Sequence, residues 1–256
     1  MAIICAILVL GKFSMRRRIT YGTVGLLCVY AMIISGTRGA LAVPGIGAVT
    51  YLVMIRNTKV FVFGGTFIFL AFSFLKFTTI ANDNYDVKRL RSALNPEDAS
   101  FNLRMINREK LSRYLEDKPF GGGIGTTLKW GMRFTPGSWL SNFSPDGLYT
   151  MIRAETGLMG RNLYVGIRLY LLARGIYLMW KLKVPIHRTY CMALLAGYAG
   201  ILMANYGNPV MTQFPISLCT YLSIVFFSSA HRWPGEKDYE KAQALDPENN
   251  FDRENT

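Results

Sequence analysis

The residues of this 256-residue chain best suited to chemistry are arginines set in apolar or glycine-rich surroundings. Arg38 stands in Ser35-Gly36-Thr37-Arg38-Gly39-Ala40, at the junction of two apolar stretches. A charge at membrane depth is costly, so it has either a task or a partner, unless it snorkels to a headgroup phosphate. Arg104, Arg108 and Arg113 lie in a segment whose Leu103, Ile106, Leu111 and Leu115 fit one helical face loosely, with a stop at Pro119. Guanidinium groups on such a helix hold phosphate or form a solvated face. The run Pro119-Phe120-Gly121-Gly122-Gly123-Ile124-Gly125-Thr126-Thr127 comes next. Glycines such as Gly123 and Gly125 let backbone N–H groups approach phosphate, but the run lacks the GK[ST] ending of a nucleotide loop. Asp146 begins a short amphipathic helical stretch that leads into Glu155-Thr156-Gly157-Leu158-Met159-Gly160, and the bland reading of it is an N-cap. Glu155 is the one acid between Gly147 and Trp233, placed to pair with Arg153, Arg161 or a more distant arginine. Arg168, in the next apolar stretch with Arg161 and Arg174, points to a polar cavity or an absent partner. His187 and His231 lie in a basic loop and at a helix end, and no HExxH, GxSxG or DxD pattern occurs.

The elements that must position these groups are apolar helices. Hydrophobic residues make up 51% of the chain and charged ones 18%, which excludes a disordered chain and argues against an ordinary soluble enzyme. Six stretches approach the length of roughly 20 residues that a bilayer requires. They are 19–35, 39–55, 60–80, 162–180, 189–206 and 210–230, with a half-length apolar run at 1–11. The expected fold is therefore an all-α polytopic membrane protein with about six transmembrane helices plus a partial N-terminal one. Residues 1–80 would hold the partial helix and three spans, 81–160 a mostly helical periplasmic loop domain, 161–231 three spans, and 232–256 a disordered acidic tail. The net charge of +13 is concentrated in short loops: Lys12, Arg16, Arg17, Arg18, Arg56, Lys59, Lys181, Lys183 and Arg188 fall on one side with no acid among them. That asymmetry marks the cytoplasmic side and argues against nucleic acid as the partner. Cys5, Cys28, Cys191 and Cys219 all sit in apolar stretches, without metal or disulfide spacing.

The order of the motifs resembles the O-antigen ligase and O-antigen polymerase family, in its C-terminal half. Ser35-Gly36-Thr37-Arg38-Gly39 looks like that family's S-x-R-G element. Arg104 followed by the Pro119–Gly125 run resembles its arginine, helix and P-x-x-G-x-G pattern. Glu155 to Gly160 resembles its E-x-G-x-x-G element. Asp146 stands where the family often has histidine, and Gly147 where it has asparagine. The half-length run at 1–11 agrees with a fragment that lacks an N-terminal half or a partner subunit.

The resemblance implies a glycosyltransferase of the bacterial inner membrane, active on the periplasmic face. It would move a glycan from undecaprenyl diphosphate to an acceptor hydroxyl on lipid A-core or a growing polysaccharide. Arg38 and Arg104 would face the diphosphate as negative charge grows on it, and Asp146 would act as the general base. Glu155, Arg108, Gly123 and Gly125 would support them. No metal or cofactor is implied, the arginines taking that place; membrane lipids are implied as partners. The main rival reading is a transporter or flippase fragment for an anionic lipid-linked substrate, with Arg161, Arg168 and Arg174 along its path; a second is a non-catalytic membrane anchor whose loop 76–147 binds a partner.

Overall fold

A computed structural model of the chain describes residues 1–11, 13–35, 42–55, 58–77 and 99–233. Its helices, in order, are α1 (Ala2–Leu10), α2 (Met15–Ile34), α3 (Ala42–Ile55), α4 (Thr58–Phe77), α5 (Ala99–Tyr114), α6 (Leu128–Phe134), α7 (Trp139–Asn142), α8 (Leu148–Lys181), α9 (Pro185–Ala204) and α10 (Ile216–Ser228). Single 3-10 turns occupy Val210–Thr212 and Ala230–Arg232. Among the described residues there is no strand.

The expected membrane-spanning architecture is corrected here: among the described residues no helix is long and apolar enough to cross a membrane. The reasons differ between helices. α1, α3 and α10 have only 9, 14 and 13 residues. α8 has 34 residues, but Arg153, Glu155, Arg161, Arg168, Arg174 and Lys181 interrupt it. α9 has 20 residues and opens Pro185-Ile186-His187-Arg188. α2, also 20 residues, begins Met15-Arg16-Arg17-Arg18, and Thr20, Tyr21, Gly22 and Thr23 dilute the apolarity of its next turn.

α9 is the centre of the main core. Proline at its first turn suits a position whose N–H would be unpaired anyway. Cys191, Leu195, Tyr198 and Leu202 are buried together with Ile7 and Leu8 of α1, Met54 of α3, Met179 of α8 and Phe227 of α10. Burying each leucine or phenylalanine contributes about 1.5–3 kcal/mol. Gly200 lets α3 approach closely, since a Cβ there would fall 2.5 Å from the Val43 carbonyl oxygen. A second, smaller core joins Leu111 and Leu115 to Leu140, Phe143 and Ala154. It fastens α5 and the 119–147 segment to the start of α8. Of the apolar face expected on α5, Leu111 and Leu115 are buried, while Leu103 and Ile106 remain exposed.

Candidate functional site

The site forms where three separated segments meet: α5, the Asp146–Leu148 junction, and the turn after α9. The turn is fixed first. Asn205 is fully buried. Its Nδ2 donates to the Ile201 carbonyl (2.9 Å), its Oδ1 accepts from the Met211 N–H (3.1 Å), and its own carbonyl accepts from the Leu148 N–H (2.9 Å). That last bond ties the start of α8 to the end of α9. Gly147 is required at the seam, because a Cβ there would lie 2.4 Å from the Tyr206 carbonyl oxygen.

α5 lies over this seam with one side of Arg104, Asn107 and Arg108, spaced i, i+3 and i+4. Asn107 Nδ2 donates to Asp146 Oδ2 at 3.3 Å. Arg108 donates to the Tyr206 hydroxyl and, at 3.4 Å, to the Tyr206 carbonyl, and its guanidinium carbon lies 4.1 Å from the centre of that ring. Arg104 Nη1 lies 3.7 Å from the position a Cβ would take on Gly207. Asp146, Arg104 and Arg108 are thus gathered around the Tyr206–Gly207 turn. Asp146 is not the cap of α8; Gly147 holds that position. Arg38, the other arginine expected to face the diphosphate, lies outside the described residues.

The glycine run occupies a different place. Gly122 and Gly123 donate N–H bonds to the Ala154 and Glu155 carbonyls at 2.9 and 3.0 Å. The Gly123 N–H is thereby committed to backbone. Gly121, Gly123 and Gly125 take φ values of 77°, 104° and 77°, in the left-handed region. α8 breaks at Gly157, with φ 71° and ψ −169°, a conformation essentially restricted to glycine. A Cβ on Gly157 would lie 2.0 Å from the Pro119 carbonyl oxygen. The two glycine-bearing motifs therefore interlock backbone to backbone. From Asp146 they are separated by the first arm of α8, about 12 Å at ~1.5 Å per residue.

Glu155 is buried and accepts a hydrogen bond from the Thr127 hydroxyl at 2.5 Å. Its neighbours in sequence go elsewhere. Arg153 Nη2 donates to Ser112 Oγ at 2.9 Å, and Arg161 donates to Asn162 Oδ1. Burial, and after it the charge of Arg161, pulls the Arg153 guanidinium below its ordinary range. Glu155 thus clamps the glycine segment through Thr127, and the arginine pairing expected of it is not the bond it makes.

The three arginines of the rival pathway differ in their settings. Arg161 is tied to its neighbour and Arg174 is exposed. Arg168 is buried, donates to the Tyr221 hydroxyl at 3.2 Å, and lies 4.9 and 5.3 Å from the centres of the Tyr164 and Tyr221 rings.

Sequence reasoning missed Tyr206, Asn107 and Thr127. The polar run Asn205-Tyr206-Gly207-Asn208-Pro209 after an apolar helix marks a turn, but nothing local shows that Arg108, 98 positions earlier, binds it. Comparison with family models, with characterised proteins and with solved structures finds no match.

Proposed function

We propose that the chain is a glycosyltransferase that moves a glycan from undecaprenyl diphosphate to an acceptor hydroxyl at the periplasmic face of the bacterial inner membrane. The observation that carries the reading is the assembly of Arg104, Arg108 and Asp146 around one turn, from segments far apart in sequence. Glycosyl transfer from a lipid diphosphate needs fixed cations against the leaving group and a base for the incoming hydroxyl.

In this mechanism Asp146 takes the proton of the acceptor hydroxyl as its oxygen attacks the anomeric carbon. The bond from that carbon to the diphosphate oxygen breaks, and its electron pair leaves with the diphosphate. Arg104 and Arg108 face the charge that develops there; permanent charge and forked donors suit them to phosphate oxygens. Asn107 holds the Asp146 carboxylate in place, and Tyr206 holds Arg108. The exposed apolar side chains of α2, α4 and α8 support contact with a lipid carrier.

The test is product formation from undecaprenyl-diphosphate-linked glycan in membranes carrying the full chain. Cleavage of the donor with transfer to the acceptor supports the reading. Movement of the donor without cleavage would favour the transporter instead.

A further inference from the structure

The end of the molecule opposite the candidate site gathers basic side chains from four segments. α2 begins there with Arg16, Arg17 and Arg18, all exposed. α8 ends there with Lys181, the connecting loop carries Lys183, and α9 begins there with Arg188 in its first turn. Contacts between side chains hold these segments together. The Phe13 ring meets Tyr190 at a tilt, 5.3 Å between centres, and Tyr21 edge-on at 5.7 Å. Trp180 Nε1 donates to the Met54 carbonyl at 3.1 Å, and Trp233 meets His187 at 5.2 Å. The length of α9, 20 residues or about 30 Å, separates this end from Tyr206.

No counter-charge lies nearby among the described residues. Their acids are Glu109, Glu116, Asp117, Asp146 and Glu155, all within 109–155 at the other end. The cations also stand where the fold disfavours them, since those of α2 and Arg188 occupy helix first turns, at the positive end of the helix dipole. The Arg188 Nε is buried without a hydrogen-bond partner. Beyond the basic rim the surface turns apolar: Leu26 and Leu27 of α2, Phe63 of α4 and Val225 of α10 are exposed. Basic groups and aromatic rings bordering an apolar flank match a lipid surface, with phosphate in the headgroups and hydrocarbon beneath. Nucleic acid or free phosphate would satisfy the charges and leave the flank bare.

We infer that this basic end binds the headgroups of anionic phospholipids. The inference uses residues outside the candidate site and does not depend on the transfer reaction. It is tested by flotation of the full chain with vesicles of phosphatidylcholine alone or with about one third phosphatidylglycerol. The expected result is an affinity about tenfold higher on the anionic vesicles, falling with added salt. R16Q/R17Q/R18Q should lose most of that difference with unchanged binding to neutral vesicles, and R16K/R17K/R18K should keep it. Equal binding to both vesicles, or a full anionic preference in the glutamine variant, would overturn the inference. So would loss of the preference when inorganic phosphate replaces chloride at constant ionic strength, which would identify a free-anion site. Transfer activity is read separately, so either result leaves the proposed reaction to stand or fall by itself.

Discussion

Arg104 and Asp146 do different work in the proposed reaction, and their substitutions separate the roles. Arg104→Ala removes a fixed cation from the leaving group, and transfer should fall by roughly tenfold or more, mainly in kcat. Asp146→Asn keeps the bond geometry to Asn107 but removes the base, and should cost about a hundredfold or more. Transfer assays in membranes check both; normal rates in the two variants would end the transferase reading. Thr127 belongs to the structure around the site. Thr127→Val strands the buried Glu155 carboxylate without its hydroxyl donor, and should destabilise the chain by about 1–3 kcal/mol, read by denaturant unfolding.

At the scale of elements, the break in α8 decides how the glycine segment is held. Gly157→Ala places a Cβ against the Pro119 carbonyl and forces an L residue into glycine-only backbone, and should cost about 2 kcal/mol or more. Gly166→Ala, in open space on the same helix, should be neutral or stabilise by about 0.5–1 kcal/mol. Thermal unfolding of the pair distinguishes a designed break from general intolerance of the helix. The start of α9 carries a pH dependence. Burial pulls His187 below its ordinary 6.5, so the folded chain binds that proton less tightly than the unfolded one. Its neutral form costs nothing above pH 6.5; stability is lost as pH falls below that value. A fall in Tm on acidification that His187→Gln removes would verify this.

Local signals served well where the governing contact is local. The apolar run behind α9, the turn at Gly207-Asn208-Pro209 and the end of α5 before Pro119 are all set by nearby residues. Leu103 and Ile106 show the limit, since a helical period does not say which turns of the helix find a partner. The membrane-span reading counted apolar residues along stretches without knowing where helices begin and end; α1, α3 and α10 stop at 9, 14 and 13 residues, and α8 runs on through six charged groups. Glu155 and Arg153 were natural partners by proximity, yet each bonds to a residue from a distant segment, Thr127 and Ser112.

The whole molecule presents unusual apolar exposure: Leu26 is 74% exposed, Phe63 76% and Val225 64%. Such a surface is unstable against association in water alone. Without amphiphile the chain should run as large assemblies on size-exclusion chromatography, and with amphiphile as one narrow species. A narrow monomer peak in plain buffer would show that the apolar flank is satisfied internally.

The separation of Arg108 from Tyr206 in sequence also sets a timetable. A chain made from its N-terminus completes α5, the glycine segment and Asp146 before the last turn of α9 exists. Arg108 then has neither the hydroxyl nor the carbonyl that later receives it, and Gly147 has no Tyr206 carbonyl to pack against. During synthesis α5 and Asp146 can meet first, through the Leu111–Phe143 core and the Asn107 bond, and the arrival of the Asn205–Gly207 turn then seats Arg108. The Tyr206 end of the candidate site is therefore laid down 60 residues after Asp146, as a second step of assembly.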